Sequence, residues 1–185
     1  MTKKSYEAIV IGSGATGGVA ALTLAQAGVK VLVVEAGPKW EVNQALGSEP
    51  CNTFKRFFNL FTGVHKKQAQ HPGFWKANPL LYANEKENIY DHPIDRPFIW
   101  TRGKQVGGKS LTWGGITLRL SDYDLQASKT DGFGPTWPIS YSDLSSHYLS
   151  LEKFLRIYGH KDGLDQLPDG EYIGSLPFTE TETHF

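Results

Sequence analysis

The sequence predicts an α/β fold of the Rossmann type, a three-layer arrangement of helices on a parallel sheet, incomplete in this chain and carrying an irregular aromatic-rich insertion. Three observations predict it. Two short apolar segments rich in β-formers, Tyr6 to Ile11 and Val29 to Val34, flank a helix-forming stretch. A glycine cluster, Gly12-Ser13-Gly14-Ala15-Thr16-Gly17-Gly18, lies between the first segment and that stretch, and an acid, Glu35, ends the second segment. Strands apolar on both faces suit the interior of a parallel sheet, and a strand, helix and strand of this length make a right-handed crossover.

Each element has its own reason. Tyr6 to Ile11 is the first strand, and the turn glycines follow at once. From Ala15 to Ala27, Val19, Leu22, Leu24 and Ala25 stand among further alanines, which favour a helix that Gly28 is placed to end. Val29 to Val34 is the second strand, and Gly37-Pro38 breaks the chain, which makes residues 1–38 one βαβ unit. Lys39 to Pro97 is too long and too polar for a plain loop, and reads as an insertion that covers something. Within it, Phe54, Phe57, Phe58 and Phe61 recur at helical spacing, predicting a helix over Thr53 to Thr62. Such a stripe is expected to pack into a core, with docking on a membrane or partner as the alternative. Ile94 to Trp100 is expected to be extended. Residues 98–185 form the third region, with a second glycine-rich segment at Gly103 to Gly115 and then a helix from Ser140 to Ile157. That helix is capped by Ser140 or Ser142 and carries Leu144, Tyr148, Leu151, Phe154 and Leu155 on one side. Gly159 to Phe185, rich in Gly, Pro and acids, ends without a closing helix or strand and reads as unfinished.

Composition narrows the function. The 185 residues are 39% apolar, enough for a globular core. Nineteen basic residues balance nineteen acidic ones, which leaves no long-range field to attract nucleic acid or an anionic macromolecule. The single cysteine, Cys51, can form no internal disulfide and reads as a small packed residue. Met1-Thr2-Lys3-Lys4 leads into an apolar run too short for an export signal or membrane span, so a cytoplasmic site of synthesis is expected; export with a signal-bearing partner stays open.

The first glycine cluster has the chemistry of a dinucleotide site. Gly12 permits the tight turn, Gly14 lets the backbone approach a pyrophosphate, and Gly17 lets the helix lie close to the strand. The phosphates would then sit at a helix amino terminus, where unpaired N–H groups and the dipole favour negative charge. Glu35 stands where a carboxylate accepts hydrogen bonds from an adenosine ribose, and an acid there disfavours the extra phosphate of NADP. This loop alone does not separate FAD from NAD. In the second segment, Gly107-Gly108 and Gly114-Gly115 bracket Lys109-Ser110-Leu111-Thr112-Trp113, backbone able to lie flat against a ligand with hydroxyls beside it.

Taken together, Gly12 to Gly18, the Glu35-Ala36-Gly37 turn, the Val106 to Gly115 loop and Trp137-Pro138-Ile139-Ser140-Tyr141-Ser142-Asp143-Leu144 resemble, in order and spacing, the glucose-methanol-choline (GMC) oxidoreductases. The wording of the second loop looks most like the gluconate, fructose and sugar dehydrogenase branch, although Lys109 stands where the family commonly has a serine. The resemblance implies that Gly12, Gly14, Ala15, Thr16, Gly17 and Glu35 hold the ADP half of FAD. It further implies that Val106, Gly107, Ser110, Thr112, Trp113 and Gly114 lie along its pyrophosphate, ribityl and isoalloxazine parts. Trp113 reads equally as a core aromatic, and Arg102 as a partner of pyrophosphate or, slightly preferred, of a surface acid. Some relatives attach FAD through a histidine in this loop; Lys109 to Gly115 has none, so FAD is expected to be non-covalent.

The family oxidises CH–OH groups of alcohols, sugars or polyols by hydride transfer to flavin, with a histidine near the carboxyl terminus of a longer chain as base. None of His65, His71, His92, His147, His160 and His184 lies in such a segment or at metal-ligand spacing, so none is assigned catalysis or a metal. The expectation is the amino-terminal, FAD-binding portion of such an oxidoreductase, with a small-molecule alcohol or sugar substrate and a cytochrome or quinone-linked subunit as a candidate electron acceptor. An inactive FAD-binding remnant and an NAD-dependent dehydrogenase are the alternatives.

Overall fold

A computed structural model describes residues 4–184; the start Met1-Thr2-Lys3 and the final Phe185 lie outside the described residues. The chain divides into two compact units at the Gly114–Gly115 bond.

The first unit opens with the expected βαβ. Strand β1 (Ala8–Ile11) pairs in parallel with β2 (Val31–Val34), Ala8 opposite Val31 and Ile11 opposite Val34. Helix α1 (Ala15–Gln26) crosses between them. Gly28, at φ 82°, takes the left-handed turn that returns the chain to the sheet, where Val29 N–H donates to the Leu24 carbonyl at 3.0 Å. Both strands are shorter than the sequence suggests, and they are not buried on both faces: Ile11 is 87% exposed, and Ile9, Val33 and Val34 are also exposed. The sheet has two strands among the described residues, so apolar side chains fit for a sheet interior have no layer over them.

The apolar core of this unit lies in the insertion. Phe74, Leu81, Tyr82 and Ala83 are buried, with the Phe74 and Tyr82 rings 5.0 Å apart and the Tyr82 hydroxyl donating to the Gly73 carbonyl. Helices α2 (Val42–Leu46) and α3 (Glu49–Thr62) precede this core. Helix α3 starts at Glu49, four residues before its expected Thr53, because Pro50 sits in the first turn, where a missing N–H costs nothing.

Helix α3 corrects two expectations. Its Phe54, Phe57, Phe58 and Phe61 are exposed, Phe61 at 91%, and the buried face is polar. Arg56 and Asn52 are buried: Arg56 Nη2 donates to the Ala77 carbonyl at 3.0 Å and Nη1 to Glu49 at 2.6 Å, while Asn52 donates to the Leu46 carbonyl. Carbonyls left free by the irregular backbone around α3 need donors, and the polar side of the helix supplies them. Cys51, expected to be packed, is exposed on the first turn of α3. Ile94 to Trp100 forms no strand. Pro93 and Pro97 withhold backbone donors, a turn runs through Ile94, Asp95 and Arg96, and Ile94 is 98% exposed.

The second unit holds α4 (Asp122–Leu125), α5 (Ala127–Asp131) and α6 (Tyr141–Leu155). Ser140 is the cap of α6, and Asp143 accepts from both its N–H and its hydroxyl, at 2.8 and 2.7 Å. Of the expected apolar side, Leu144, Tyr148 and Leu151 are half-buried, while Phe154 and Leu155 are exposed. The buried residue of α6 is Glu152, held in a two-pronged pair by Arg119, Nε at 2.7 Å and Nη2 at 2.6 Å.

Candidate cofactor site

The first loop has the geometry that its glycines demand. Gly12, at φ 90°, donates its N–H to the Val34 carbonyl at 2.7 Å, joining the end of β1 to β2. A β-carbon at Gly17 would lie 2.1 Å from the Gly12 carbonyl oxygen, so only glycine lets α1 come this close. At Gly12 and Gly14 an added β-carbon meets nothing within 4 Å. That open surface lies where Gly14 caps α1 and Ala15 and Thr16 form its first turn, with no acidic side chain to compete for the free N–H groups.

Glu35 is held by three protein donors. Ser13 N–H and Ser13 Oγ donate to Oε2 at 2.9 and 2.6 Å, and Gly37 N–H donates to Oε1 at 2.9 Å. The Ser13 hydroxyl, followed by the Ser13 and Gly37 amides, holds its carboxyl down to about 2. A carboxylate offers about four acceptor sites, so roughly one stays open to a ribose hydroxyl, and a fixed negative charge there repels a ribose phosphate.

The second loop lies against the first. Val106 N–H donates to the Pro38 carbonyl at 3.0 Å, and Gly107 N–H to Ser13 Oγ at 3.1 Å. Gly108 approaches Gly14 so closely that a β-carbon on it would lie 3.4 Å from Gly14 Cα, and a β-carbon on Gly37 would strike the Lys104 carbonyl oxygen at 2.1 Å. Gly107, at φ 88°, starts a single 3₁₀ turn from Gly108 to Leu111. Ser110 Oγ donates to the Gly107 carbonyl at 2.6 Å and Thr112 Oγ1 leans to the Lys109 carbonyl at 3.4 Å. Both hydroxyls therefore keep lone pairs outward, able to accept from a ligand's hydroxyl groups. Trp113 is half exposed and not a core aromatic, and Gly114 has open space beside it.

The insertion secures this loop. Gln68, fully buried, donates through Nε2 to the Ala83 carbonyl at 2.7 Å and accepts the Arg102 N–H at 2.8 Å, while Ala83 N–H donates to the Arg102 carbonyl. Thr101 and Arg102, the approach to the second loop, are thus anchored on the core around Phe74. Lys109 Nζ reaches back to the Thr101 hydroxyl at 2.7 Å. Arg102 pairs with no acid among the described residues: its guanidinium lies over Tyr90 and Trp100 and donates to the Asn88 carbonyl. Ser13, Gln68 and Pro38, none of them singled out from the sequence, complete the arrangement. Only the hydroxyl of Ser13 between two glycines gave a sequence signal.

The histidines behave as structural or surface groups. His65, buried between Phe74 and Tyr82, donates from Nε2 to the Tyr82 carbonyl, which leaves Nδ1 to accept from Asn59; burial lowers its pKa. Among the described residues no group of three His, Cys, Asp or Glu could hold a metal, and no helix is long and apolar enough to cross a membrane.

Comparison with known proteins agrees with this geometry. A model for an NAD(P)-binding Rossmann-like domain matches residues 10–71. The chain is 51% identical over 188 residues to the long-chain-alcohol oxidase FAO4B of Arabidopsis thaliana, covering 97% of this chain and 21% of that protein. It is 24% identical over 173 residues to the fructose dehydrogenase large subunit of Gluconobacter japonicus, covering 91% of this chain and 29% of that subunit. Over 58 residues it is 40% identical to an uncharacterized GMC-type oxidoreductase of Mycobacterium tuberculosis, covering 31% of this chain and 9% of that protein. The chain spans between 21% and 29% of the length of the curated relatives that it matches over most of itself. Two glycine loops fold against one another at the end of a Rossmann βαβ unit, and the homologues of this chain include proteins named as GMC-type oxidoreductases, a long-chain-alcohol oxidase and a fructose dehydrogenase large subunit.

Proposed function

We propose that this chain supplies the FAD-binding portion of an oxidoreductase that oxidises the CH–OH group of an alcohol, sugar or polyol. One observation carries the reading: the open backbone at Gly12 and Gly14 and the loop from Val106 to Gly114 are bonded to each other and present one continuous glycine-rich surface. An NAD-dependent enzyme built on the first loop alone would leave that second contact without a purpose. Gly12, Gly14, Ala15, Thr16 and Gly17 would hold the pyrophosphate, and Glu35 the adenosine ribose. Val106, Gly107, Ser110, Thr112, Trp113 and Gly114 would line the ribityl and ring portions, without a covalent link. Bound FAD would supply the hydride acceptor; the protein residues bind and orient it.

The substrate and partner belong to the whole protein. One relative is named for long-chain alcohols and another for fructose, which supports a CH–OH donor without choosing its chain. The latter is named a large subunit, which supports a separate electron-accepting subunit. Synthesis in the cytoplasm completes the proposal.

Titrating the purified protein with FAD, NAD and NADP, followed by flavin fluorescence and calorimetry, tests the cofactor. FAD binding with a perturbed flavin spectrum is the expected result; NAD binding without FAD binding overturns it. Bleaching of flavin absorbance by a primary alcohol or sugar, in the natural product carrying this segment, tests the activity.

A further inference from the structure

We propose that Ser13 is a positioning residue that joins the two glycine loops into one binding surface, its hydroxyl donating to Glu35 and accepting the Gly107 N–H. A serine hydroxyl has one proton and two lone pairs. Glu35 Oε2 can only accept, so the hydroxyl proton goes to it across 2.6 Å, and the lone pairs face the Gly107 amide at 3.1 Å. The Ser13 N–H binds the same carboxylate oxygen at 2.9 Å, which fixes backbone and side chain together.

Among the described residues the second loop is hydrogen-bonded to the first unit's βαβ twice, Val106 to the Pro38 carbonyl and Gly107 to Ser13 Oγ. The former is all backbone, so Ser13 contributes the one side chain in this clasp. Beside this bond Gly108 packs on Gly14, where a β-carbon on Gly108 would lie 3.4 Å from Gly14 Cα, an ordinary van der Waals contact. The adenosine-side acid, the pyrophosphate loop and the second loop are therefore linked through a single oxygen atom. The consequence for ligand binding rests on the flavin reading above: ADP would need the first loop alone, whereas FAD would need both loops held together.

The test has an arm that needs no ligand. In the unliganded protein, amide hydrogen exchange across Gly103 to Leu111 is compared for wild type, Ser13→Ala and Ser13→Thr. Loss of one hydrogen bond raises exchange at Gly107 by about fivefold in Ser13→Ala, and Ser13→Thr restores protection. Equal exchange in all three proteins, or a threonine variant that behaves like alanine, overturns the proposal whatever the cofactor is. Should Ser13→Ala lose its folded circular dichroism, Ser13→Cys, similar in size with a weaker bond, carries the same comparison. In the second arm, FAD and ADP are titrated into each variant. The expected result is FAD affinity lowered about tenfold in Ser13→Ala, with ADP affinity changed less than about twofold. Equal loss for both ligands shows that Ser13 acts only on the first loop and overturns the proposal. Faster exchange at Gly107 in a protein that binds no FAD even as wild type supports the loop linkage and overturns the flavin reading.

Discussion

A β-carbon added at Gly17 would lie 2.1 Å from the Gly12 carbonyl oxygen, whereas one added at Gly14 meets nothing within 4 Å. The same substitution should therefore do different things at neighbouring positions. Gly17→Ala forces α1 away from the turn and costs about 1–3 kcal/mol, lowering thermal stability along with ligand affinity. Gly14 has φ −66° and ψ −175°, which alanine tolerates, so Gly14→Ala should keep unfolding free energy within about 1 kcal/mol of wild type and still weaken ADP and FAD binding at least tenfold, as calorimetry would record. Glu35 gives a pH prediction. Its carboxyl falls from an ordinary 4.5 to about 2 in the folded chain, so the ionised form is the one that folding favours. Its contribution is complete above 4.5 and is lost as pH falls toward about 2. Exchange protection of the Ser13 and Gly37 amides should decline across that acid window and stay flat near neutrality, and Glu35→Gln should remove the dependence.

Among the elements, α3 turns inward the face that a helical wheel would turn outward. Its buried Arg56 ties Glu49 to the Ala77 carbonyl, and Asn59 donates to His65 beneath Tyr82. Arg56→Ala would leave that carbonyl unpaired under a cavity, costing about 1–3 kcal/mol in chemical denaturation. Phe61→Ser, at a residue 91% exposed, should change stability by no more than about 0.5 kcal/mol. A reversed order of these effects would mean that the phenylalanine face, and not the polar one, holds the helix. The spacing of the phenylalanines predicted the helix correctly and its buried side wrongly. Periodicity reports which residues share a face, while which face is covered depends on carbonyls left free elsewhere.

Over the whole molecule, each of the two units is organised around a different kind of interior. The first has an aromatic core in its insertion, to which Gln68 fastens the approach to the second glycine loop. The second is tied by the buried Arg119 and Glu152, joined by the Tyr141 hydroxyl at 2.7 Å and the Glu171 N–H at 2.8 Å. Each partner stabilises the charge of the other, raising the pKa of Arg119 and lowering that of Glu152. Glu152→Gln leaves a buried guanidinium without its counter-charge, and should destabilise the second unit by about 3 kcal/mol, seen as an earlier unfolding transition with ADP affinity at the first unit retained.

By itself the sequence determined the βαβ unit, both glycine loops, the capped helix after Ser140 and the resemblance to GMC-type oxidoreductases. These rest on local rules: glycine where φ is positive or backbones nearly touch, serine at a cap, β-formers in strands. Only the tertiary structure decided that Glu35 is occupied by Ser13 and Gly37, that Arg102 stacks on aromatics instead of pairing with an acid, and that the phenylalanines of α3 and the apolar strand residues are exposed. The physical reason is that hydrogen-bond partners distant in sequence compete for each polar group, and burial depends on which layers are present to cover a face. Neither quantity is written in the spacing of one segment.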